Sequence, residues 1–250
     1  MSRPSRSKSA SGIYHVMLRG IDRRKIFILE PDYLKFLEYI EKAKNKCAFE
    51  VYAFCLMPNH VHLLLKTEKD EEIGNIIKRI TVGYVQYHNL HYARTGHLFQ
   101  NRFRSEPVED ESYFVTVLRY IHQNPLKAGI VKEMEEYQWS SYYEYLKAEQ
   151  RQLLDPTFVL NFFPNTEAFV KFMKEENEDK CLDDEQVKVY TDEDLKGLIT
   201  TYLDADLSSI AESDKKRRNE LLKNIKEMTG VSNRQLARVL DIGRGIIERV

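Results

Sequence analysis

Cysteine is scarce in this chain: Cys47, Cys55 and Cys181 are the three that occur in 250 residues. An odd number with no C-x-x-C spacing excludes a disulfide framework and a cysteine zinc site, and points to a reducing, cytoplasmic setting. No apolar run approaches the roughly 18 residues that span a bilayer, so no membrane partner is expected. Met1 to Ser11 carries charge with no apolar segment behind it, which excludes a signal peptide. Glycine and proline number only 10 and 7, and no internal repeat is present. Together with 42% hydrophobic, 31% charged and 11% aromatic residues, this excludes a collagen-like, disordered or low-complexity chain. What remains is a globular protein long enough for one large domain, or a medium domain with a small appendage.

A net charge of -1 hides a strong segregation. Residues 1–104 hold 18 Lys and Arg against 10 Asp and Glu, a net of +8; residues 151–212 hold 6 against 15, a net of -9; residues 213–250 hold 10 against 5, a net of +5. Two basic regions flanking an acidic one suit a polyanion contacted at both ends, or solvated charge that merely clusters.

Residues 1–11, rich in Ser, Arg and Lys, read as a flexible basic arm. Ile13 to Leu18 is a β-prone run closed by Arg19-Gly20. Leu34, Leu37, Ile40 and Ala43 have helical spacing. Val51 to Met57 and Val61 to Lys66 form a strand pair turned at Pro58-Asn59. Glu71 to Arg94 reads as a long helix, Leu98 to Val108 as a strand, and Glu111 to Gln123 as a helix stopped by Asn124-Pro125. This β-α-β-β-α-β order with a further helix predicts an α+β fold, a ferredoxin-like or RRM-like antiparallel sheet with helices on one face and the other face free. Trp139 to Leu146 adds a closing helix. The expected divisions are a domain over 12–149, an acidic helical linker region over 150–212, and a C-terminal all-helical region over 213–250.

The most informative stretch is Met57-Pro58-Asn59-His60-Val61-His62. On a strand, residues two apart share a face, so His60 and His62 present two imidazoles side by side. Such a pair is either a metal chelate or two histidines with no ligand, and spacing alone leaves both readings open. Tyr120 and Asn124, at i and i+4, share one face near a helix end. An amide oxygen is a hard metal donor, and a tyrosine hydroxyl is a nucleophile that needs help, because its ordinary pKa lies near 10. The plain alternative is that Tyr120 is one structural tyrosine among 15.

Four segments in order, G-I-Y-H-V-M-L-R-G (12 to 20), M-P-N-H-V-H-L-L-L (57 to 65), G-H-L-F-Q-N-R-F-R-S (96 to 105) and R-Y-I-H-Q-N-P-L-K-A-G (119 to 129), resemble the single-tyrosine HUH transposases. Within that group they are most similar to the REP-associated tyrosine transposases. The resemblance covers roughly residues 8 to 147. It implies a metal-dependent endonuclease and strand transferase acting on single-stranded, hairpin-forming DNA. His60 and His62 would bind the metal, Tyr120 would be the nucleophile and Asn124 the third protein ligand, where classical members carry glutamine. The implied cofactor is Mg²⁺ or Mn²⁺, which imidazole, amide and open water positions suit. Relatives of this kind work as dimers, which makes a homodimer one expectation and leaves open whether Tyr120 serves its own chain.

For substrate, Arg19, Arg23, Arg24 and Lys25 follow the first strand, and Arg102 and Arg104 are interleaved with Phe99 and Phe103, a mix that grips single strands by phosphate contact and base stacking. The two phenylalanines read equally well as core. Residues 230–250 look like a helix-turn-helix, with Ser232 as N-cap and Arg234, Arg244 and Arg249 as DNA contacts; a three-helix module that touches no DNA is the alternative. Two non-enzymatic readings stand beside the transposase: a nucleic-acid-binding module using an open RRM-like sheet, and a transcriptional regulator using only the C-terminal helices.

Overall fold

The structure, a computed structural model, describes residues 7–68, 71–146, 153–154, 156–179, 181–182, 190–203, 207, 209–210, 213–229 and 231–249. They fall into two compact units, Met1–Asp184 and Glu185–Val250. Of the expected basic arm, residues 1–6 lie outside the described residues, while the Ala10 and Ser11 amides both donate to the Glu109 carboxylate at 3.0 Å.

The first unit is built on four strands: β1 (Ile13–Arg19), β2 (Phe49–Met57), β3 (His60–Thr67) and β4 (Arg104–Pro107). They form one antiparallel sheet in the order β2-β3-β1-β4. The β2–β3 hairpin turns at Pro58-Asn59, and Met57 pairs with His60. β4 is shorter than its sequence suggests, because upstream of it only Phe99 bridges back to Gly20. Three long helices accompany the sheet: α1 (Glu30–Lys44), α2 (Ile73–His91) and α3 (Glu111–Lys127).

Sequence chemistry explains each helix. Pro31 opens α1, where a missing N–H costs nothing. Asp32 accepts hydrogen bonds from the Ile28 and Leu29 amides at 2.8 and 2.9 Å. The buried stripe of α1 is Asp32, Phe36, Leu37, Ile40 and Ala43, with Leu34 exposed. In α2 the stripe Ile73, Ile76, Ile77, Ile80 and Tyr84 ends in a buried His88. Gly83 lets α2 approach α1, since a Cβ there would run into the Tyr39 ring. Asp110 caps α3 by accepting from the Tyr113 amide at 2.8 Å.

Two expectations are corrected. The sheet has no free face: Val61, His62, Leu63, Leu64 and Leu65 are buried in succession, so both faces of β3 are covered. An alternating polar face would be needed for an open RRM-like surface, and from Val61 to Leu65 this strand is apolar on both sides apart from His62. The face carrying His15 and His62 lies under α3, where Tyr120 sits against both rings. Second, α3 does not stop at Asn124-Pro125 but continues through Pro125 to Lys127. The proline removes one backbone donor, and Asn124 bonds the Tyr120 carbonyl through its side chain at 2.8 Å, holding the last turn together.

The acidic stretch 150–212 does not form a body of its own. Its first part folds onto the first unit: after α4 (Tyr142–Leu146) come α5 (Thr157–Leu160) and α6 (Thr166–Lys174), with Val159, Phe169 and Met173 fully buried in that core. Residues Leu195, Ile199 and Ile210 belong to the core of the second unit. That unit contains α7 (Asp192–Leu203), α8 (Lys215–Thr229), α9 (Asn233–Leu240) and α10 (Arg244–Ile247). Ser232 caps α9 as expected, accepting from the Gln235 amide at 3.1 Å. Asp241, in the left-handed region at φ 52°, turns the chain into α10. α10 is four residues long, so the expected recognition helix is not among the described elements; the flanking and internal glycines, Gly243 and Gly245, disfavour a longer one.

Candidate active site

Antiparallel pairing puts Met17 opposite His62 and Arg19 opposite His60, which brings the end of β1 beside the histidine pair. The His60 and His62 rings are edge-to-face with centroids 5.1 Å apart. Tyr120 reaches over from α3, its ring 5.7 Å from His62 and 6.0 Å from His15. Asn124, one turn further along, uses its amide nitrogen on the Tyr120 carbonyl, and its side chain lies near enough to His60 to influence that ring's protonation. One chain thus brings His60, His62, Tyr120 and Asn124 together.

Burial sets the protonation state. Burial holds His60 down at about 4, with the charges of Arg19 and Arg23 pushing the same way and the neighbouring Asn124 side chain opposing them. Complete burial, with His60, His15 and Arg19 beside it, keeps His62 well below the usual imidazole range. Both rings are therefore neutral near pH 7, the state in which imidazole binds a cation. The Nε2 atoms of both rings are buried. Among the described residues no group of three His, Cys, Asp or Glu side chains could hold a metal, and the Asn124 amide is the further donor type that stands beside the two imidazoles. Two imidazoles and an amide fit a hard divalent cation that keeps water or phosphate ligands, and a neutral donor set leaves the ion's charge to act on a phosphate.

The loop after β1 is stitched to this site. The Gly20 amide donates to the Asn59 carbonyl at 2.8 Å, and the Ile26 and Phe27 amides donate to the Pro58 carbonyl at 2.7 and 3.1 Å. Asp22 and Arg23 sit in the left-handed region at φ 52° and 55°. A Cβ at Gly20 would run into the Arg24 carbonyl oxygen, so the turn requires glycine. On the other side, Ile21 donates to Leu98 at 2.9 Å and Gln100 to Arg19 at 2.8 Å. Arg19, Arg23, Arg24 and Lys25 are thereby set beside the segment that bears Arg102 and Arg104, and all of these except the half-buried Arg19 are exposed. Phe99 and Phe103 pack on the core, Phe99 against Tyr84, which favours their structural reading. Arg234, Arg244 and Arg249 are exposed residues of the second unit.

The adjacent stripe of α3 is tied down by the end of α6 and the segment that follows it. Arg119 pairs with Asp179 at 2.9 Å, Gln123 donates to the Met173 carbonyl at 2.7 Å, and Lys127 donates to Asn177 at 2.9 Å. These residues are four apart, one row of the helix, and they fix the rotation that turns Tyr120 and Asn124 to the histidines. His122 faces elsewhere and bonds Ser141 at 2.9 Å.

Sequence reasoning missed two participants. His15 is fully buried in β1, its Nε2 3.0 Å from His62 Nδ1 and its Nδ1 2.9 Å from Glu106 of β4. A polar residue inside the apolar run Ile13 to Leu18 was the available signal, but nothing in the run names its partners.

The family described as "Transposase IS200 like" matches residues 8–124, which contain all four clustered side chains. Over residues 8–124 the chain is similar to this transposase family. Two relatives agree. A Haemophilus influenzae protein named as a REP-associated tyrosine transposase is 27% identical over 164 residues, 60% of this chain and 90% of that protein. The REP-associated tyrosine transposase of Escherichia coli is 23% identical over 137 residues, 54% of this chain and 78% of the other. Among solved structures, a REP-associated tyrosine transposase bound to a REP hairpin superposes with a TM-score of 0.55 at 17% identity, covering 76% of this chain and all of that one, and so shares the fold. The transposase family is one of DNA-processing enzymes that act in DNA transposition. Among the described residues no helix is long and apolar enough to cross a membrane.

Proposed function

We propose that this protein is a transposase, a metal-dependent single-stranded DNA endonuclease and strand transferase that works through a 5′-phosphotyrosine. The observation that carries the reading is the placement of Tyr120 against His62, with Asn124 one turn on reaching His60, all in one chain. In the reaction, Tyr120 Oη attacks the scissile phosphorus and the bond from phosphorus to the 3′-oxygen breaks. The phenolic proton is balanced by the proton that the released 3′-hydroxyl acquires. The phosphotyrosine keeps the phosphodiester bond energy, so a 3′-hydroxyl from another strand reverses the step without ATP. His60, His62 and Asn124 would hold Mg²⁺ or Mn²⁺. When bound, that ion supplies electrostatic stabilisation of the charge that develops on the phosphate oxygens.

Substrate contact is assigned to the basic loops. Arg19 and Arg23 bring positive charge to His60, and Arg24, Lys25, Arg102 and Arg104 extend it outward as a track for phosphates. The REP hairpin held by the similar structure supports a hairpin-forming single strand as the substrate. Arg234, Arg244 and Arg249 of the second unit are assigned to further DNA contact.

The test is to incubate the protein and its Tyr120→Phe variant with end-labelled hairpin DNAs in Mg²⁺, Mn²⁺ or EDTA and to resolve products on a denaturing gel. A metal-dependent covalent adduct that Tyr120→Phe lacks is expected. An adduct that survives in the variant would assign the chemistry to another residue, and binding without any adduct would make the chain a DNA-binding protein only.

A further inference from the structure

A strand histidine reaches a cation through Nε2 only if its proton sits on Nδ1, and an isolated neutral imidazole does not choose that form reliably. In this chain the choice is made by a row of side chains across three strands. Glu106 Oε1 lies 2.9 Å from His15 Nδ1, and His15 Nε2 lies 3.0 Å from His62 Nδ1. The same Glu106 oxygen accepts from the Tyr113 hydroxyl at 2.8 Å and from the Leu182 amide at 3.3 Å. Burial raises the Glu106 pKa, but the bonds from His15 and Tyr113 outweigh it and hold the carboxyl below its usual range. An ionised carboxylate only accepts, so His15 must donate from Nδ1. In the neutral His15 ring Nε2 then carries the lone pair, and His62 must donate from Nδ1 to satisfy it. The His62 proton is thereby committed on the β1 side of the ring, and Nε2 is left as the donor atom.

We infer that Glu106 and His15 are positioning residues that lock His62 in its Nδ1-protonated tautomer and aim its Nε2 lone pair at the cation site. The inference rests on the function proposed above for its purpose, but the tautomer itself is a property of the protein alone. His60 is treated differently: its Nδ1 bonds the side chain of its neighbour Asn59 at 2.6 Å, a local contact. His62 thus has the deeper support of the two, through a buried histidine with no exposed surface. Partners behind a metal-bound histidine that orient the ring and fix its tautomer typically change metal affinity by about 10–100-fold when removed.

The experiment uses the full-length, metal-free protein with ¹⁵N-labelled histidine. Long-range ¹H–¹⁵N spectra, with His62 assigned by its absence in His62→Gln, report which ring nitrogen carries the proton. The wild type is expected to show His62 protonated at Nδ1. In Glu106→Leu the His62 signals are expected to move towards a mixture of tautomers, with Mn²⁺ affinity, read from the electron paramagnetic resonance of free Mn²⁺, falling about 10-fold or more. Glu106→Gln is the conservative control: the Tyr113 hydroxyl and Leu182 amide keep an acceptor oxygen facing His15, so tautomer and affinity should both be retained. His15→Phe, a deeper change, should behave as Glu106→Leu does. A wild-type His62 protonated at Nε2, or a tautomer and Mn²⁺ affinity unmoved in Glu106→Leu, would overturn the inference. Neither readout uses DNA, so a protein that shows the locked tautomer yet forms no covalent adduct would count against the proposed function and leave this inference standing.

Discussion

Beneath α3, Glu106, His15 and His62 are joined by hydrogen bonds between residues 91 and 47 apart in sequence, and Tyr120 closes over them from that helix. In the second unit, Arg234, Arg244 and Arg249 stand exposed, and the bonds that Arg244 and Arg249 make reach only four residues along their own chain. Under the proposed function the first region makes bonds and the second attracts DNA, and the two are built on opposite principles. Bond-making groups must be fixed to within fractions of an ångström, which takes burial and long-range bonding. Charges that attract a polyanion need only be accessible, and flexibility costs them little. The two regions should therefore respond to substitution very differently.

The largest contrast is catalytic. His62→Ala is expected to slow single-turnover cleavage of a short hairpin by on the order of 10²–10³-fold, the scale of losing one preorganised electrostatic partner. Replacing Arg234, Arg244 and Arg249 together by alanine should leave that rate within about threefold while weakening binding to longer DNA. The salt dependence of that binding should become shallower, by about one unit of log–log slope for each phosphate no longer neutralised. Equal losses of cleavage rate in the two variants would erase the distinction. Next in size is a structural change near the site that leaves the chemistry alone. Ser141 is fully buried and receives the Phe54 amide at 2.9 Å, so Ser141→Ala strands that donor and should cost about 1–3 kcal/mol in denaturant unfolding, with the metal requirement unchanged.

A further contrast is in pH. Burial holds His122 at about 3, far below its unfolded value near 6.5. A depressed folded pKa means that between those values the unfolded chain binds the proton and the native chain does not. Stability should therefore fall as pH drops from about 6.5 towards 3, with a slope of up to about 1.4 kcal/mol per pH unit from this residue, and then level off. His122→Phe should make the fall shallower in urea titrations across that window; an unchanged slope would mean that His122 is not held as a neutral buried base. The smallest effect concerns charge near the site. Removing Arg23 in Arg23→Ala takes one positive neighbour from His60, so the His60 pKa, held at about 4, should move upward in an NMR titration, while a downward move would place Arg23 elsewhere.

Much of the site could be read from spacing because it depends on local geometry. H-x-H on a strand and Tyr120 with Asn124 at i and i+4 on a helix fix shared faces before any tertiary contact is known. His15 and Glu106 escaped because their roles depend on the register of β1 between β3 and β4, a long-range pairing that no local pattern encodes. The free sheet face failed for a related reason: the run Leu63-Leu64-Leu65 is buried on both sides, and an unbroken apolar run does not say what covers it. Pro125 misled because the rule that ends a helix there holds for the helix interior, and here only one turn remains, backed by the Asn124 side chain. The acidic stretch looked like a linker by charge, but Val159, Phe169 and Met173 inside it commit its first part to the core of the first unit.

Central to the proposed chemistry is that one chain supplies both the nucleophile and the histidine pair. Mixing Tyr120→Phe with His62→Ala and assaying adduct formation on labelled hairpin DNA tests this directly. The predicted result is that the mixture forms no more adduct than the His62→Ala protein alone. Recovery of adduct in the mixture, by pairing the intact tyrosine of one chain with the intact histidines of another, would contradict it.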